Sequence, residues 1–458
     1  MHAPLERASA DGGIIGLPLR ASRPALLWTL LTLFLLNTMN YVDRLLFAVA
    51  QEAIKADLLL TDFQLGLLGG PAFALLYTLA SFPIARLADR SNRVTIISLA
   101  FAAWSAMTAF CGIAANFMQM LIGRAAVSIG EAGCTPPAHS LISDAFPAER
   151  RTTAMAVFVA AGPVGALIAA LGGGWLVQTH GWRTAFIVCG VAGVLLAVVI
   201  RATTREPARV HGRITEPLLP ALRTLLAKRS FVAVALAGAV AGIGSFSNHQ
   251  YMVSFLMRAH GLPLATASTL MGLVFGGVGI LVTLSSGPIM DRWRQRFPHI
   301  RIWLPAAGML WCGSLFAIGF QVPVMWITIL LFFTASLGQH FYMPAMFSLG
   351  QDLAPPHMRA LASAIIISAS SLLGYGLGPP AIGLLSDVFR GMAMAQYGIS
   401  AAECSANSAA LCQIASAQGL RWSLTVGSCF FVLASLLFAL AGRWVASDLP
   451  KDRGAPAA

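Results

Sequence analysis

The sequence predicts an all-α membrane protein with twelve transmembrane helices in two pseudo-symmetric six-helix bundles. Three observations predict it: composition, the length of the apolar blocks, and a repeated loop signature. Of the 458 residues, 57% are hydrophobic and only 10% are charged, whereas a soluble domain carries about a quarter charged residues. The apolar residues fall in blocks of roughly 20, the length a helix needs to cross about 30 Å of hydrocarbon. Backbone amides in lipid must be satisfied within their own segment, and no period-two alternation marks the chain as a β-barrel.

The expected helices are approximately 25–50, 64–86, 94–115, 117–144, 152–178, 182–202, 230–257, 264–288, 300–320, 323–350, 358–388 and 420–446. The first is retained as a span, because it is too long for the apolar region of a signal peptide and contains Asp43 and Arg44. This divides the chain into an N-terminal tail (1–24), an N-terminal bundle (25–202), a linker (203–229), a C-terminal bundle (230–446) and a C-terminal tail (447–458).

The linker carries Arg201, Arg205, Arg209, Arg213, Arg223, Lys228 and Arg229 against Glu206 and Glu216. Loops on its side of the membrane hold Arg86, Arg90, Arg93, Arg150, Arg151, Arg292, Arg294, Arg296, Arg301 and Arg359, while the opposite loops hold few basic residues. Excess positive charge marks the cytoplasmic side, so both termini are expected there. The net charge of +12 therefore reflects membrane orientation, and no nucleic-acid partner is expected. Arginine far outnumbers lysine, present only as Lys55, Lys228 and Lys451; with abundant Ala and Gly this suggests a GC-rich bacterial genome, hence the bacterial inner membrane.

Duplication supports the division into halves. Leu87-Ala88-Asp89-Arg90 recurs as Ile289-Met290-Asp291-Arg292, and Pro147-Ala148-Glu149-Arg150 as Pro356-His357-Met358-Arg359. Five of the seven cysteines sit in apolar blocks and read as small packing residues. Cys404 and Cys412 lie in a polar stretch before the last helix, where a disulfide and two free thiols are equally compatible with the sequence. No metal or cofactor motif is present, and no Walker-type phosphate loop, HExxH or GxSxG appears. An intramembrane enzyme is not expected.

An ionisable side chain deep in a bilayer costs a few kcal/mol and needs a partner or a wet cavity. The first helix has Asn37, Asn40, Tyr41, Asp43 and Arg44; the fourth has Arg124, Ser128, Glu131, Thr135 and His139; the seventh has Asn248, His249 and Gln250; the tenth has Gln339 and His340. Positions 124, 128, 131 and 135 fall on one helical face. Asp43 and Arg44 point about 100° apart, so only one of them can pair with Glu131 or Arg124 while the other faces elsewhere. These charges can be a static brace or a proton site. Burial raises a carboxylate's affinity for a proton and a nearby guanidinium lowers it, so an arginine that moves switches that affinity. Arginine also presents a planar fork to an anionic headgroup. Glycine and proline clusters at 162–163, 172–174 and 374–376 either bend helices or simply pack them closely.

The segment Ala85-Arg86-Leu87-Ala88-Asp89-Arg90-Ser91-Asn92-Arg93 resembles the cytoplasmic signature loop of the major facilitator superfamily, with its echo at Asp291 and Arg292. Ala85 and Asn92 stand where that family usually has glycine. The resemblance implies that Asp89, Arg90, Arg93, Asp291 and Arg292 belong to loops that latch the halves together. Asn40-Tyr41-Val42-Asp43-Arg44, Gly123-Arg124, Gly130-Glu131-Ala132, Ser140 to Pro147, and Arg205-Glu206-Pro207 resemble the spinster branch more narrowly. That branch implies a cavity lined by helices one, four, seven and ten, with Asp43 and Glu131 binding protons and Arg44 and Arg124 modulating them or meeting a phosphate. Its members resemble proton-coupled exporters or flippases of lysolipids.

The expectation is a monomeric secondary transporter, proton-coupled and working by alternating access, whose partners are protons, membrane lipids and a small-molecule or lipid substrate. Export of small organic anions or drugs is the rival within transport. A membrane receptor without transport is the rival outside it.

Overall fold

The computed structural model describes residues 23–146, 148–206, 218–282, 285, 300–355, 358–399 and 409–448. Among these the chain is helical from end to end. The first half comprises α1 (Arg23–Leu58), α2 (Asp62–Gly69), α3 (Pro71–Arg90), α4 (Arg93–Cys111), α5 (Phe117–Glu131), α6 (Thr135–Ala145), α7 (Ala148–Ile168) and α8 (Gly174–Thr203). A π-helical turn, Ala169–Gly173, joins α7 to α8. The short α9 (Leu218–Leu226) belongs to the linker. The second half comprises α10 (Arg229–His260), α11 (Leu264–Met271) with a π-helical turn at Gly272–Gly277, α12 (Ile300–Gln321), α13 (Met325–Leu353), α14 (Arg359–Gln396) and α15 (Ala409–Asp448).

Nine helical stretches among the described residues are long and apolar enough to cross a membrane. One of them runs over residues 157–203 and contains a turn at Gly181, where φ is 84° and ψ 159°. Glycine alone adopts that backbone without a Cβ penalty, so a single apolar run becomes two crossings. The pair α5–α6 and the long α13 are further apolar segments, and the set accommodates twelve crossings.

Three differences from the expected elements have identifiable causes. The fourth helix is not continuous over 117–144: it breaks at residues 132–134, between α5 and α6. Pro136 and Pro137 occupy the first turn of α6; they lack N–H donors and disfavour helical geometry in the residue before them. The second helix likewise breaks at Gly70, with Pro71 opening α3. The last two helices, α14 and α15, extend into the polar stretch, to Gln396 and from Ala409, because its alanine-rich composition is compatible with helix. Cys412 is disulfide-bonded, and Cys404 lies outside the described residues.

Each half has its own packed interior. In the first, Leu36, Phe101, Trp104, Val127 and Phe158 form one cluster, and Phe47, Leu65, Met120 and Phe186 another. In the second, Phe231, Met346 and Phe438 form one, and Phe255, Phe316, Phe332 and Phe431 another. Lipid tails are as apolar as these side chains, so association within the bilayer relies on close packing and on polar groups that bond to backbone. Asn37 donates from Nδ2 to the Phe158 carbonyl at 2.9 Å, Ser336 to Val274 at 2.6 Å, and Ser435 to Ala306 at 2.6 Å. Large apolar residues such as Leu79, Leu195, Leu281 and Trp326 face outward.

The halves meet along three seams: α2 and α3 on α14, α7 and its π-turn region on the π-turn after α11, and α1 on α10. The end of the molecule where α1 finishes and α2 begins is called distal below; the N-terminus lies at the proximal end.

Candidate functional site

A small cavity lies where the halves face each other. Arg44 and Ala48 of α1, Gly69 and Phe73 of the second helix, Arg124 of α5, Phe246, His249 and Gln250 of α10, and Tyr375 of α14 line it. Five of the expected helices thus converge, the first, second, fourth, seventh and eleventh, and the eleventh contributes where the tenth was expected.

Arg44 reaches the end of α5, and its Nε donates to Glu131 Oε2 at 2.6 Å. Glu131 is fully buried, and its Oε1 has no hydrogen-bond partner. The guanidinium of Arg44 sits among three aromatic rings, with Cζ 4.6 Å from the Phe73 centroid, 5.2 Å from Tyr77 and 5.8 Å from Tyr41. Such faces attract a cation electrostatically, more strongly when water is excluded. Asn40 lies beside Glu131, yet its Nδ2 remains without a partner.

Arg124 is 3% exposed and belongs to no ion pair among the described residues. Its Nε has no partner, and its closest stabilisation is the Phe47 ring at 4.9 Å. A buried guanidinium without a counterion is costly. The cavity is therefore set up to receive negative charge.

Asp43 takes a different direction from its neighbour. It is turned into the first bundle, where its carboxylate accepts from Thr108 Oγ1 and from Cys189 Sγ, each at 3.2 Å. Helical geometry separates adjacent side chains in this way, so Arg44 meets Glu131 while Asp43 stays behind α1, apart from the cavity.

The remaining expected residues divide similarly. His249 lines the cavity with Nε2 unpartnered, its ring edge-on to Phe275 at 4.2 Å. His340 is held by the Ser336 carbonyl at 2.9 Å, and Gln339 donates to Ser245 at 2.5 Å. Asn37 and Ser128 bond to backbone carbonyls within the first half. Tyr41 is 37% exposed, and Thr135 begins α6 beyond the break. The break separates Thr135 from the continuous helical stripe of 124, 128 and 131.

Arg93 is 2% exposed and joins three segments of the first half at its proximal end. Its Nη1 contacts Asp144 at 2.5 Å and Ser140 at 2.8 Å, and its Nε contacts Glu206 at 2.6 Å. These contacts tie the start of α4 to α6 and to the segment after α8. Arg90 is exposed. The side chain of Asp89, together with Asp291 and Arg292, lies outside the described residues.

A distal clamp went unrecognised in the sequence. Arg258 of α10 donates to both oxygens of Glu52, at 2.6 and 3.0 Å, and both oxygens of Asp62, at 2.7 and 2.8 Å. Ser386 adds a bond to Asp62 at 2.6 Å, and Tyr251 donates to the Asp62 carbonyl at 2.7 Å. Asp387 of α14 accepts the Asp62 and Phe63 amides at the start of α2, capping from across the seam the exposed donors of that helix. The available signal was the concentration of Glu52, Lys55, Asp57 and Asp62 in a loop region otherwise poor in charge, opposite Arg258.

Comparison with known proteins accords with this architecture. The Major Facilitator Superfamily profile matches residues 33–379. An MFS-type efflux pump of Mycolicibacterium smegmatis is 32% identical over 358 residues, 78% of this chain and 83% of the relative. Protein spinster homolog 1 of Xenopus tropicalis is 25% identical over 78% of this chain and 72% of its own. The crystal structure of a bacterial homologue of the human lysosomal transporter spinster, inward-facing and unoccupied, superposes with a TM-score of 0.86 at 33% identity, covering 95% of this chain and all of that one. The chain belongs to the major facilitator superfamily, in its spinster-like branch, and is a multi-pass membrane transporter rather than an enzyme.

Proposed function

We propose that the protein is a proton-coupled transporter carrying an anionic, amphipathic small molecule, lysophospholipid-like by resemblance, across the bacterial inner membrane by alternating access. The carrying observation is Arg124, buried beside a cavity at the seam between the halves with its Nε unpartnered and no ion pair among the described residues, next to an Arg44 engaged by Glu131. The excess of basic residues in the proximal loops supports a cytoplasmic proximal end. Distal closure by Arg258 then corresponds to the inward-facing arrangement, the state of the structural relative.

The coupling follows from charge. With Glu131 ionised, Arg44 is engaged and Arg124 alone attracts the substrate. A proton on Glu131 removes that attraction and leaves two guanidiniums for one anion, so proton and anion binding reinforce each other, each raising the other's affinity by the same factor. One proton moving through 100 mV supplies about 2.3 kcal/mol. The aromatic faces of Phe73, Phe246 and Tyr375 offer an apolar body somewhere to lie. Asp43, with no cation among its hydrogen-bond partners, is a second proton site behind the cavity wall.

In proteoliposomes, Glu131→Gln is expected to abolish proton-driven uptake or export of substrate while leaving anion binding strong at every pH. The parent binds its anion more tightly as pH falls. Unchanged coupling in Glu131→Gln removes that residue from the mechanism. Export of a small organic anion or drug is the second reading, favoured by the small size of the cavity and by the relative described as an efflux pump. Competition of transport by lysophospholipids separates the two.

A further inference from the structure

Between the cavity and the distal clamp, side chains of the two halves form a ladder. Gln250 of α10 is 6% exposed and lines the cavity. Its Nε2 donates to Gln51 Oε1 on α1 at 2.6 Å, and Gln51 Nε2 donates in turn to Ser254 Oγ at 2.5 Å. Gln250, Ser254 and Arg258 follow one another at intervals of four and share a face of α10. Gln51 and its neighbour Glu52 meet them from α1, and Glu52 is gripped by Arg258. Gln250 thus belongs to the cavity wall and to the first rung beneath the clamp.

We infer that Gln250 is a positioning residue that passes occupancy of the cavity to the distal clamp, an inference resting on the transport reading above. Its amide has two N–H donors and one carbonyl. One N–H is held by the neutral Gln51 carbonyl; an anion drawn in by Arg124 attracts the whole NH2 group and reorients it, since charge-assisted bonds are roughly twice as strong as neutral ones. Turning Gln250 towards the ligand releases Gln51 and removes a rung one residue away from Glu52. A ligand shifts a conformational equilibrium only by its different affinity for the two states, and this exchange of partners supplies the difference.

Gly69 makes room for the arrangement. A Cβ at that position would stand 2.5 Å from Gln250 Oε1, 2.7 Å from Cδ and 2.8 Å from Nε2. Gly69→Ala therefore displaces the amide without deleting it.

The test is a distance measurement on the full chain in lipid nanodiscs. Spin labels are placed at Leu59→Cys and Tyr397→Cys, both exposed distal positions, with the exposed Cys429 changed to Ser. Without ligand, Gln250→Ala, Gln51→Ala and Gly69→Ala are each expected to raise the distally open population about fivefold, the scale of one buried hydrogen bond. The Gln51→Ala/Gln250→Ala double variant adds nothing further, since both remove one rung. Oleoyl-lysophosphatidylglycerol then shifts the labelled parent towards the open form but leaves Gln250→Ala where it was. A Gln250→Ala distribution identical to the parent's, while Arg258→Gln opens the distal end, overturns the inference; so does a lysolipid that shifts both proteins equally. A lysolipid that binds neither protein defeats the lysolipid reading alone, because the ligand-free variants still decide the role of Gln250.

Discussion

Two arginines are buried near the seam, and they are in opposite conditions. Arg258, 9% exposed as a side chain, is engaged by two carboxylates of the other half. Arg124 is 3% exposed and makes no ion pair among the described residues, with Glu131 and Asp43 acting on it only through space. Coulomb attraction at such sites is strong but so is the desolvation it must offset. A cation whose donors are satisfied by the protein holds structure together, whereas one whose donors are unmet has its partner arriving from outside.

Removing each cation in turn tests that contrast. Arg258→Gln leaves Glu52 and Asp62 buried with only Lys55 nearby, and is expected to destabilise the closed distal end by about 3–5 kcal/mol. Cysteine accessibility at distal positions and the thermal midpoint measure it; a midpoint within a degree of the parent's, with the distal end still shut, defeats the clamp.

Arg93→Ala strands Asp144 and Glu206, which are 13% and 20% exposed, so the loss is smaller, about 2–3 kcal/mol. It lowers the thermal midpoint without changing distal distances, and an opened distal end would contradict its placement at the proximal end.

Arg124→Gln reverses the sign, because deleting a buried charge that makes no ion pair among the described residues leaves stability unchanged or raises it by about 1 kcal/mol. Substrate-induced thermal stabilisation is lost in the same variant; a large destabilisation would mean that Arg124 is structural.

Arg183→Ala should do least. Its pair with Asp57 has side chains 42% and 43% exposed, and such pairs contribute under about 1 kcal/mol. A midpoint insensitive to salt in both parent and variant would be consistent with that; a fall of many degrees would not.

Much of the fold is legible in the sequence because the bilayer demands long apolar helices, and lengths of apolar runs are read directly. The identities of Arg44, Arg124 and Glu131 as intramembrane charges were equally legible. Their pairing was not: helical phase separates Asp43 from Arg44 but does not say which of the two turns inward. The break after Glu131 was visible only as two prolines, which in a membrane helix are compatible with bending or with interruption. The contribution of Tyr375 was missed because an aromatic side chain in an apolar run looks the same whether it faces a cavity or a neighbouring helix, and Gln250 stood out as an intramembrane amide without any sign of its partner. The Arg258 clamp joins groups about 200 residues apart, and nothing local announces such a meeting.

The break at Gly70 gives the second crossing a divided allegiance. The piece Asp62–Gly69 packs more extensively against α14 than against any helix of its own half, and Asp387 caps its first turn. By sequence these eight residues belong to the first bundle; mechanically they are a tab held in the second. Prying the halves apart at that end must either drag the tab along, bending the chain at Gly70, or strip its cap and expose bare amides. Amide exchange at Asp62 and Phe63 would therefore report each opening event, like a seal that shows when it has been lifted.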